Sequence, residues 1–143
     1  MVKGVRLMAT ITELTRQLQN ISRDISTTNT SISAFRGQIA DISAAQTELR
    51  SIIDIAANDR RALDMLDCEN PHYWKGYEQA QCYTGYNECT QMMANYTDRL
   101  DTWADELVIA HARSEQNLEN QLTRLTQLNN SHRRITDQLA NLR

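Results

Sequence analysis

From Leu7 to Leu63, residues that are apolar except for Thr28, Gln46 and Arg60 return at alternating spacings of four and three in one register. Only a long helix with one continuous buried stripe can use that spacing. With Ile11 taken as an a position, the a set is Ile11, Leu18, Ile25, Ile32, Ile39, Gln46, Ile53 and Arg60. The d set is Leu7, Leu14, Ile21, Thr28, Phe35, Ile42, Leu49, Ala56 and Leu63. One register holds throughout, which predicts a left-handed coiled coil. Such a helix over residues 6–67 would be about 90 Å long at the α-helical rise.

The seam also speaks to oligomer state. Five of the eight a residues are Ile, and the d layer mixes Leu with Ile. Parallel dimers favour Leu throughout d, whereas β-branched residues in both layers move the preference to trimers or tetramers. The expectation is therefore a homotrimer with a core of Ile11, Leu14, Leu18, Ile21, Ile25, Thr28, Ile32, Phe35, Ile39, Ile42, Gln46, Leu49 and Ile53, in which the polar Thr28 and Gln46 fix register. The e and g positions (Thr15, Ser22, Asn29, Gln17, Ser31 and Gln38 among them) are mostly small or uncharged. They lack the Glu/Lys pairs of an ordinary two-stranded coil and leave shallow grooves for another helix. A plain coiled-coil rod with a Ser/Thr-rich surface fits the same residues.

Chain breakers show where the helix ends. The chain has four Gly and one Pro in 143 residues, where average usage would give about 17. That deficit excludes turn-rich sandwiches, barrels and doubly wound sheets. Gly37 falls at an outward f position, so Pro71, Gly76 and Gly85 confine the turning to one segment. Net charge is −3 and no Lys/Arg run exceeds two residues, so no nucleic-acid footprint is expected. No 18-residue apolar run spans a membrane, and the N-terminus lacks the apolar core of a signal peptide. If the parent protein is secreted or membrane-bound, this chain is expected to be an excised part of it.

The middle segment, residues 68–97, reads as the chain reversal. Seven of the eight aromatics lie between residues 73 and 103, and Asn70-Pro71 is a helix stop. Cys82 and Cys89 enclose six residues with Gly85 near the middle, so a small disulfide loop is expected there in an oxidising compartment. Cys68 is then the odd cysteine, although Cys68–Cys82 or Cys68–Cys89 would also close the turn. Joining His72 to the three cysteines gives spacings that match no zinc pattern. No metal, cofactor or enzyme active site is expected.

Residues 98–143 read as a second, looser amphipathic helix capped by Thr97 or Asp98, with a start as early as Asn87 possible. Its apolar face includes Leu100, Trp103, Leu107, Leu118, Leu122, Leu125, Ile135 and Leu139, with a register slip near residues 114–118. His111, Ser114, Gln121 and His132 interrupt it. An interrupted stripe suits an outer helix in a groove, so Leu100, Trp103, Leu107, Leu118, Leu125, Ile135 and Leu139 are the expected groove contacts. Of four Asn-x-Ser/Thr sequons, Asn95 at the expected turn is the glycosylation candidate.

The arrangement resembles the fusion subunit of class I viral envelope glycoproteins. The run Asn58-Asp59-Arg60-Arg61-Ala62-Leu63-Asp64-Met65-Leu66 is similar to the end of the first heptad repeat in retroviral transmembrane subunits. Thr47-Glu48-Leu49-Arg50 followed by Arg61-Ala62-Leu63-Asp64 looks like the filovirus counterpart, and Cys82-x6-Cys89 resembles the paired cysteines of the retroviral disulfide loop. Thr90 stands where the gammaretroviral pattern has a third cysteine, and Asp59 is an insertion.

The resemblance implies an all-α six-helix bundle: a trimeric coiled coil over 1–67, a disulfide-bonded reversal over 68–97, and an antiparallel outer helix over 98–143. It further implies a virion-surface or extracellular ectodomain, a surface or receptor-binding subunit as partner, membranes engaged through segments outside this chain, and membrane fusion as the activity. A structural or tethering coiled coil and a helical sensor domain are the alternatives.

Overall fold

The computed structural model describes residues 2–143, with side chains from residue 3. Among them the secondary structure is two α-helices packed against each other, α1 over Val2–Asp64 and α2 over Tyr77–Leu142. The Ser/Thr-rich surface is compatible with helix because threonine hydroxyls turn back onto their own backbone. Ten of them donate to the carbonyl four residues earlier, from Thr10 to Arg6 through Thr136 to His132.

In α1 the covered residues follow the heptad. Every a and d residue from Ile11 to Leu63 is buried or half-buried, while b, c and f positions are exposed. The residues expected in the trimer core are thus the covered stripe of α1. Gly37 lies on the exposed side, with open space where a side chain would be.

The chain divides into two compact units. In the first, Met1–Ala40 with Ala112–Arg143, the buried residues are Thr28, Ile32, Ser114, Ile135 and Leu139. In the second, Asp41–His111, Leu49 and Ala56 of α1 enclose Leu100 of α2, which is 1% exposed. Ile53, Ala104 and Leu107 pack around this cluster. Burying such aliphatic side chains contributes roughly 1.5–3 kcal/mol each.

The expectations for α2 need three corrections. The helix begins at Tyr77, ahead of Asn87, so residues 77–97 are helical and neither Thr97 nor Asp98 is a cap. Gly85 is a helix-interior residue rather than a turn: a lone glycine costs a helix only about 1 kcal/mol, and Cys82, Tyr86 and Met93 keep the inner face in use on either side. Nor does the register slip. Covered positions run 100, 104, 107, 111, 114, 118, 121, 125, 128, 132, 135, 139 and 142, alternating four and three throughout. His111, Ser114, Gln121 and His132 are members of the stripe, not interruptions of it.

Trp103, expected as a groove contact, is 50% exposed and sits one position off that stripe, and Leu122 is likewise exposed. Leu100, Leu107, Leu118, Leu125, Ile135 and Leu139 lie on it.

Candidate functional site

The turn between the helices is built from local capping. The helical pattern closes with the Met65 and Leu66 amides donating to the Arg61 and Leu63 carbonyls. Asp67 then accepts the Glu69 amide through Oδ1, and Asn70 accepts the His72 amide in the same way. These are turns that Asp and Asn make with the backbone two residues on. The Asn70 carbonyl also takes the Tyr73 and Trp74 amides, at 3.2 and 3.0 Å. Pro71 fits because its missing donor is not needed there. Gly76 has φ of 55°, a left-handed conformation that suits glycine, and Tyr77 starts α2 directly after it. Glu78 lies in the first turn, where a carboxylate complements the helix dipole.

Cys68 and Cys82 are joined across this turn, with Cα atoms 5.6 Å apart, and both are buried. The expected Cys82–Cys89 loop is not formed, and Cys89 is a free, exposed thiol. The reason is helical geometry. Seven residues of α-helix separate Cys82 and Cys89 by about 10.5 Å of rise, whereas a disulfide spans at most about 7 Å between Cα atoms. Cys68, upstream of Pro71, is brought back onto the first turns of α2 and takes the partner role.

Beside the staple, the Tyr83 hydroxyl donates to Glu69 Oε1 at 2.8 Å. That bond, then desolvation and the nearby charges of Glu69 and Asp67, holds the Tyr83 phenol above its ordinary pKa. Near the other end of α1, Arg16 grips Glu13 through three hydrogen bonds and Gln17 adds another, which lowers the Glu13 pKa. Asn95 is exposed, but in mid-helix rather than at a turn, and the Thr97 hydroxyl of its sequon donates to the Met93 carbonyl.

Two clefts flank the second unit's core on opposite edges. One, of about 450 Å³, is lined by Ile53, Ala56, Ala57, Arg60, Arg61, Ala94, Thr97, Asp98 and Leu100. The other, of about 460 Å³, is lined by Ala45, Glu48, Leu49, Ile52, Trp103, Glu106, Leu107 and Ala110. Ile55, Met92, Val108 and Ile109 in the same unit are exposed large apolar side chains. Sequence reasoning missed this second groove because it placed Trp103 inside the helix contact. Its signal was the pairing of an Ile at a g position, Ile52, with a Trp one place off the stripe of α2.

No group of three or more His, Cys, Asp or Glu among the described residues is arranged to hold a metal, and no described helix is long and apolar enough to cross a membrane. No protein-family model matches the chain, and neither does any curated protein or solved structure.

Proposed function

We propose that this chain is a disulfide-stapled antiparallel helical hairpin that serves as an assembly module, docking helical partners on its outer faces in an oxidising compartment. One observation carries the reading: from Ile11 to Leu63 the a/d stripe of α1 is the covered face in each unit, with α2 residues as its neighbours in the second unit's core. A seam facing α2 in this way supports a two-helix contact within one chain. The apolar side chains left over, such as Ile52, Ile55, Trp103 and Val108, lie outside it. Exposed apolar patches of this kind mark interaction surfaces. The Cys68–Cys82 bridge fits a compartment outside the reducing cytosol.

Light scattering combined with peptide mapping under non-reducing conditions tests this reading. The expected result is the mass of one chain, 16.4 kDa, carrying a Cys68–Cys82 bridge. A three-chain mass would overturn it.

The second reading is membrane fusion by a homotrimeric envelope fusion subunit, favoured by the Asn58–Leu66 run directly before the turn. In that state α1 would give its a/d stripe to two other copies, and α2 would move aside into the e/g grooves. Refolding into such a bundle would draw two membranes together. A thermostable three-chain mass is the result that would select it.

A further inference from the structure

The groove between Ala45–Ile52 and Trp103–Ala110 has properties that restrict what can bind it. Ile52 is 40% exposed and Trp103 50%, so two large apolar side chains meet solvent across the gap between the helices. Ala45 and Ala110 are short at the same gap, so a third backbone can come close. The only charged residues lining it are Glu48 and Glu106, one from each helix. Neither carboxylate is engaged in an ion pair among the described residues. An apolar trough with an unneutralised acidic residue on each wall suits an amphipathic helix whose apolar stripe is flanked by Lys or Arg.

A second copy of the chain is a poor occupant. An isologous dimer would set the same patch against itself and bring Glu48 and Glu106 toward their own counterparts. Of the adjacent arginines nearest the turn that a copy could offer head-to-tail, Arg60 pairs with Asp64 and Arg61 bonds Asn58.

We propose that the groove lined by Ile52, Trp103, Glu48 and Glu106 docks a cationic amphipathic helix of another protein. This rests on the assembly-module reading and assigns it a face and a partner chemistry. Docking lays apolar anchors between Ile52 and Trp103 while basic side chains reach Glu48 and Glu106.

The test uses the oxidised full chain with Trp74→Phe, which leaves Trp103 as its only tryptophan. Two synthetic helical peptides share one Leu stripe, flanked by Lys and Arg in the first and by Glu in the second. The expected result is saturable binding of the basic peptide alone, with a blue shift of Trp103 fluorescence. Glu48→Lys with Glu106→Lys should weaken that binding at least about tenfold, the scale of one lost charge contact, and transfer preference to the acidic peptide. Ile52→Asp should abolish binding with helix content unchanged, because Ile52 is exposed. Equal binding of both peptides, a preference that survives charge reversal, or no binding to a monomeric stapled chain would overturn the groove assignment alone. Self-association abolished by Ile52→Asp would also overturn it, in favour of a second copy. A three-chain mass before any peptide is added would instead remove the hairpin reading, and this proposal with it.

Discussion

Leu100→Ala is the sharpest probe of the contact between the helices. Among the described residues Leu100 is the most deeply buried side chain, enclosed by Leu49 and Ala56 with Ile53, Ala104 and Leu107 around it. Truncating a buried Leu to Ala costs about 2–5 kcal/mol, depending on how well the site collapses or refills. Here the 450 Å³ cleft lined by Leu100 itself opens to solvent beside the truncated side chain. Water can enter from that side, and Ala56 leaves the opposing helix slender, so the lower end, about 2–3 kcal/mol, is expected. Urea unfolding followed by far-ultraviolet circular dichroism, in the oxidised protein, measures the loss with the staple intact in both forms. The midpoint should fall with the slope unchanged, the sign of a pure stability change. Trp103→Ala is the matched control: half-exposed and off the covered stripe, it should stay within about 1 kcal/mol of the parent. A Leu100→Ala loss under about 1 kcal/mol, or a larger loss for Trp103→Ala, would refute the packing described.

The remaining predictions concern the turn. Cys68→Ser with Cys82→Ser frees a loop of sequence separation 14 and should cost about 3 kcal/mol by the loop-entropy relation; reductant should lower the parent's denaturation midpoint to match, and Cys89→Ser should leave it in place. Gly76→Ala meets no steric obstacle but keeps a left-handed φ, so a loss of about 1–2 kcal/mol is expected from backbone conformation alone, read from the same urea curves. Tyr83 is held above the ordinary phenol pKa, so its neutral form is favoured in the folded chain. Its contribution is therefore fully present below the unfolded tyrosine pKa and is lost as pH rises through the higher folded value. A difference titration of phenolate absorbance against Tyr83→Phe should show one tyrosine ionising later than the others, and Glu69→Gln should reduce that delay.

The sequence was most legible where apolarity and burial coincide. In α1 each inner position from Ile11 to Leu63 is apolar apart from Thr28, Gln46 and Arg60, so the register could be read directly. In α2 the inner positions include Ala104, His111, Ser114, Gln121 and His132, while Trp103 and Leu122 stand just outside. Hydrophobicity alone then drifts toward the larger side chains and suggests a slip that the backbone does not make.

The cysteines illustrate a different limit. Spacing cannot say whether six intervening residues form a loop or nearly two turns of helix, and only the latter prohibits Cys82–Cys89. Gly85 favoured the loop, but Pro71 and Gly76 had already turned the chain upstream. The groove at Ile52 and Trp103 needed both helices in place, because its two walls lie about fifty residues apart in the chain.

In the proposed hairpin, α2 of the same chain covers the a/d stripe of α1. The most direct test of this is the thermal midpoint of the oxidised protein across about a hundredfold dilution, since only intermolecular seams make that midpoint depend on concentration. The expected result is an invariant midpoint at the mass of a single chain. A midpoint that climbs with concentration, together with a three-chain mass, would contradict it.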